Sequence, residues 1–72
     1  MQVTINGASH ELPASLTLEE LLRHLHLERE RVAIERNRTL IQKQEWTQVR
    51  VEPGDELEIV HLVGGGSGGR AG

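Results

Sequence analysis

The sequence predicts an α+β fold, a mixed sheet with one helix packed across one face. Three observations predict it. A strand–Asn–Gly–strand unit opens the chain, one amphipathic helix follows, and strand-like segments then run to a glycine-rich tail.

Gln2-Val3-Thr4-Ile5 alternates polar and apolar residues, the period of a half-buried strand. Asn6-Gly7 is a strong hairpin signal, because both residue types tolerate the positive φ of a type I′ turn. Ser9 to Leu12 reads as the returning strand, and Pro13, with no N–H to donate, ends the pairing. Thr17 and Glu20 have the spacing of a capping box, which satisfies free N–H groups in the first turn of a helix. Leu18, Leu21, Leu22 and Leu25 then form one apolar stripe. Glu19 and Glu20 at the start, with Arg23, His24 and His26 near the end, complement the helix dipole.

Val32 to Arg36 reads as a third strand, Asn37-Arg38 as a turn, and Thr39 to Ile41 as a short strand. Gln42 to Trp46 suits a short helical turn, and Val49 to Val51 an extended piece. Pro53-Gly54-Asp55 supplies a turn, proline fixing φ and glycine accepting the left-handed position. Glu56 to Val63 is the last strand, and from Gly64 the segment GGGSGGRAG reads as a flexible tail. The expected organisation is one domain over residues 1–63 and a tail over 64–72.

Composition narrows the function. The chain has 72 residues, no cysteine and a net charge of −3, and Trp46 is its one residue among Phe, Trp and Tyr. Without cysteine there is no disulfide scaffold, thiolate metal site or thiol catalysis. Arginine and lysine are interleaved with acids, which argues against nucleic acid. No apolar run is long enough for a membrane span, and MQVTING lacks signal-peptide character, so a cytoplasmic location is expected. The four histidines have no metal-site spacing: His24 and His26 face different sides of a helix, and His10 and His61 lie in strands. Trp46 is expected to cap the core. Glu52, Asp55, Glu56 and Glu58 cluster near one end and read as a solvated face or an element that steers a basic partner. If Leu57 and Ile59 face inward, alternation puts Val60 and Leu62 on the outer face. There they are candidates for partner docking, unless a twist or bulge returns them to the core.

Three stretches carry a resemblance to a known family: VTING, VAIERNRTLIQKQEW and, above all, PGDELEIVHLVGGG. Together, over residues 1–66, they resemble ThiS, the β-grasp (ubiquitin-like) sulfur carriers of thiamine biosynthesis. The small subunit of molybdopterin synthase shares that fold and a Gly-Gly end. The resemblance implies a carrier rather than an enzyme, with no bound cofactor. In that family an adenylating enzyme related to ubiquitin-activating enzymes uses ATP and Mg²⁺ to activate the terminal glycine. Sulfur from a donor such as a cysteine desulfurase then forms a thiocarboxylate, which thiazole synthase consumes. By this resemblance Gly66 carries the sulfur, and Gly64 and Gly65 thread the partner's channel. Glycine suits the task because it has no side chain and reaches φ/ψ closed to other residues. The alternatives are a carrier for molybdopterin synthesis or another thiolation or conjugation pathway, and a β-grasp module that carries nothing.

One departure stands out. SGGRAG follows Gly66, so in this sequence the Gly66 carbonyl is an amide. A natural tail removed by a protease, an added segment, and a working end at Gly69 or Gly72 are the three explanations. The expectation is a mature end at Gly66.

Overall fold

The computed structural model describes residues 1–13 and 15–62. Five strands form one mixed sheet: β1 (Gln2–Ile5), β2 (Ala8–Glu11), β3 (Val32–Arg36), β4 (Thr39–Ile41) and β5 (Glu56–His61). Their spatial order is β2-β1-β5-β3-β4. The two hairpins flank β5, which pairs parallel with β1 and antiparallel with β3.

One helix, α1 (Leu18–His24), provides the buried Leu18, Leu21 and Leu22. Its first turn is closed completely. Leu18 N–H donates to Val49 O at 3.0 Å, Glu19 N–H to Trp46 O at 3.1 Å and Glu20 N–H to Thr17 Oγ1 at 3.1 Å. The capping box is reciprocal, since Thr17 N–H donates to Glu20 Oε1 at 2.9 Å. That backbone bond, with help from the Thr17 hydroxyl, holds the Glu20 carboxyl below its ordinary pKa despite a desolvation effect in the other direction. The helix ends in a Schellman motif around His26 (φ 60°): His26 N–H donates to Arg23 O and Leu27 N–H to Leu22 O. Leu25, expected inside the helical stripe, is the C-cap residue and packs half-buried against the core.

The core lies between α1 and the inner face of the sheet. Val3, Ile5, Val32, Ile34, Leu57 and Ile59 come from alternate positions of β1, β3 and β5. Trp46 sits among them, fully buried, and its indole N–H donates to Ile41 O at 3.0 Å. It is therefore a core residue rather than a lid, because the short 3₁₀ turn Lys43–Glu45 delivers it beneath the helix N-terminus. The Arg29 guanidinium stands 5.7 Å from its ring centroid and the Lys43 ammonium 5.9 Å, so cations cover its outer side. The segment 49–51 makes an isolated bridge between Arg50 and Thr17 and joins no strand.

Candidate functional site

The alternation of β5 divides its side chains between two environments. Leu57 and Ile59 are buried, while Glu56, Glu58, Val60 and Leu62 are exposed. Val60 and Leu62 are 53% and 50% exposed, and Leu40 on β4 reaches 57%. Across the ladder Ala33 stands opposite Val60, and Glu35 stands opposite both Glu58 and Leu40. The outer face thus has an apolar end (Leu62, Val60, Ala33, Leu40) and an acidic end (Glu35, Glu58, Glu56). A shallow depression of about 360 Å³ is edged by Ala33, Leu40, Ile41 and Leu62. A cleft of about 430 Å³ at the acidic end is lined by Thr4, Gly7, Arg38 and the three glutamates.

The apolar end is where β5 leads toward the glycines. Leu62 N–H donates to Arg31 O at 2.8 Å, so the backbone beyond β5 is still tied to the residue preceding β3. Gly64, Gly65 and Gly66 lie outside the described residues.

The acidic run of the sequence is split by the fold. Asp55 turns inward, 6% exposed, and accepts from Arg36 Nε at 2.8 Å, Glu52 N–H at 2.8 Å and Asn37 Nδ2 at 3.1 Å. Burial pushes its carboxyl upward, but the Glu52 N–H, the Arg36 guanidinium and the Asn37 amide together outweigh burial and hold it below the usual carboxylate range. Asp55 is therefore a structural clamp at the start of β5. Its place on the outer face is taken by Glu35, from a different strand. Period-two alternation through Val32 and Ile34 indicates that Glu35 points outward, but only the strand register puts it beside Glu58.

Of the histidines, His10 and His61 border a separate depression of about 340 Å³ with Leu25 and Leu27 at the far end of the core. Among the described residues no group of three or more His, Asp or Glu is arranged to hold a metal ion. No described helix is long and apolar enough to cross a membrane.

The ThiS family model matches residues 3–66. The chain belongs to the ThiS family. It is similar to the sulfur carrier protein ThiS of Bacillus subtilis, 42% identical over 50 residues that cover 69% of this chain and 76% of that protein. It is also similar to a thiazole synthase of Paramagnetospirillum magneticum, 45% identical over 67 residues. That match covers 93% of this chain and only 21% of the synthase, so the chain spans about a fifth of that relative's length. Among solved structures, the crystal structure of the thiamine biosynthesis protein ThiS from Geobacter metallireducens superposes with a TM-score of 0.81 at 30% identity, covering 92% of this chain and all of that one. The mixed five-stranded sheet with one helix is the β-grasp architecture of these ThiS proteins.

Proposed function

We propose that this ThiS-family domain carries sulfur on Gly66 for thiazole ring formation in thiamine biosynthesis. The family match, running through Gly66, is the observation that carries the reading. The likeness to a thiazole synthase supports the pathway, and the exposed Val60 and Leu62 immediately before the glycines support docking.

The chemistry requires a free carboxylate at Gly66, so on this reading the working chain ends at Gly66, whether SGGRAG is a natural tail removed by a protease or an added segment. An adenylating enzyme then joins the carboxylate to the AMP moiety of ATP, with Mg²⁺ on the phosphates and pyrophosphate leaving. The terminal sulfur of a persulfide, supplied by a donor such as a cysteine desulfurase, displaces AMP. A thiol attacks the inner sulfur of the resulting acyl disulfide, leaving a thiocarboxylate on Gly66 and a disulfide between the two thiols. Thiazole synthase takes the sulfur. The domain acts throughout as a co-substrate, and ATP and Mg²⁺ are held by the activating enzyme. Three extended glycines reach on the order of 10 Å, enough to enter a partner's site while the body stays outside.

Incubating the chain ending at Gly66 with its adenylating enzyme, ATP, Mg²⁺ and a persulfide donor should add the mass difference of one oxygen replaced by sulfur. No mass change with an active partner overturns the carrier reading. Leu62→Asp should weaken partner binding at least tenfold while thermal melting stays cooperative. A variant that binds normally refutes the docking role of Leu62.

A further inference from the structure

Among the described residues nothing pairs with the carboxylates of the acidic half of the outer face. Glu35 and Glu58 stand directly opposite each other on β3 and β5, both exposed. Like charges in that cross-strand position oppose sheet formation. Glu56 extends the same negative row by one more outward position. Among the described residues none of these three carboxylates forms an ion pair or a side-chain hydrogen bond, whereas Glu11, Glu19, Glu28 and Asp55 are all paired. Among the described residues Arg38 is the one cation lining the cleft, and it makes no ion pair with them.

The acidic row is continuous with the apolar patch. Two residues along the ladder, Glu58 and Glu35 give way to Val60 and Ala33, and Leu40 flanks Glu35 on β4. Both halves therefore meet the same side of anything that docks here.

We propose that this face is one bipartite docking surface, on which Leu62, Val60 and Leu40 anchor a protein partner and Glu35, Glu58 and Glu56 select one that presents clustered arginine or lysine side chains. The inference rests on the carrier reading for the partner's identity, thiazole synthase. Charge complementarity assigns its contact surface: guanidinium groups pair with carboxylates in a two-pronged geometry, and two glutamates on adjacent strands present acceptors for such side chains. Basic partner residues would also relieve the Glu35–Glu58 repulsion, so the surface is more favourable bound than free. Long-range attraction between the two surfaces accelerates encounter, and salt weakens it.

The test uses the 72-residue chain and, beside it, the chain ending at Gly66, each with purified thiazole synthase from the same cell, with association and dissociation rates followed from low to high salt. The double substitution E35Q/E58Q should lower the association rate about tenfold at low salt and flatten its salt dependence, with a smaller change in dissociation. The free variant should melt no lower than the unsubstituted chain, which separates lost attraction from lost folding. An unchanged association rate and salt slope overturns the acidic half of the proposal while leaving sulfur loading of Gly66, read by mass, intact. Failure of thiazole synthase to bind either unsubstituted form overturns both the surface and the partner assignment.

Discussion

The two hairpin turns on either side of β5 have the same backbone and different chemistry. Asn6-Gly7 joins β1 to β2, and Asn37-Arg38 joins β3 to β4. All four residues have positive φ: 51° and 82° in the first turn, 51° and 71° in the second. Each asparagine also reaches sideways into β5. Asn6 donates its backbone N–H to Leu57 O, and its side chain both accepts from Ile59 N–H at 2.8 Å and donates to Ile59 O at 3.0 Å. Asn37 donates to Glu56 O, accepts from Glu56 N–H at 2.9 Å and donates to Asp55 at 3.1 Å. These amides continue the sheet ladder where the strands have already turned away. The difference lies at the second turn position, where glycine is free to be left-handed and arginine is not. Arg38 keeps that conformation because the hairpin register and the Asn37 clamp over-determine it.

The largest expected effect tests the clamp. Asp55→Ala removes the shared partner of Arg36, Asn37 and the Glu52 N–H, and should cost about 2 to 3 kcal/mol in urea unfolding. The same variant has a pH signature. The folded-state pKa of Asp55 is depressed, so the unfolded chain binds its proton more readily. The stabilisation is therefore fully present above the ordinary value of 3.8 and is lost as pH falls through the lower folded value. Asp55→Ala should lack that part of the acid slope; identical slopes in the two proteins would show that Asp55 gains nothing from its partners.

The asparagines come next. Asn6→Ala strands both polar groups of the buried Ile59 and should cost about 2 kcal/mol. Asn37→Ala leaves the N–H of the exposed Glu56 to water and also takes one donor from the buried Asp55 carboxylate, and should cost about 1 to 2 kcal/mol. Equal losses would mean that the Asn37–Asp55 bond is worth as much as satisfying the second polar group of the buried Ile59. The smallest effect belongs to the second turn position. Arg38→Gly should stabilise by about 0.5 to 1 kcal/mol, less than the left-handed penalty because glycine also gains freedom when unfolded. Gly7→Ala should destabilise by about 1 kcal/mol through φ alone, since among the described residues nothing lies within 4 Å of the added Cβ. An Arg38→Gly variant no more stable than the parent would place the strain elsewhere.

Local signals made much of this protein legible. The capping box at Thr17, the Asn6-Gly7 hairpin and the inward Leu57 and Ile59 each depend on residues within a turn or a strand of one another, where spacing alone decides the outcome. Other features had no such signal. His26 occupies the left-handed position after the helix where glycine is usual, so the stop is invisible in residue type. Trp46 as a lone aromatic between short segments could cap or fill, and only the 3₁₀ turn beneath α1 buries it.

By itself the sequence determined which residues can alternate, cap and turn, the aliphatic character of the core, and the resemblance that led to the ThiS family. Tertiary structure alone decided that β5 lies between the two hairpins, beside β1 and β3. That choice joins Glu35 to Glu58, sends Asp55 inward to Arg36 and assembles Ala33, Leu40, Val60 and Leu62 into one patch. The physical reason is that side-chain direction follows from local backbone period, whereas cross-strand pairing depends on the register of segments more than twenty residues apart, set by packing the whole core at once.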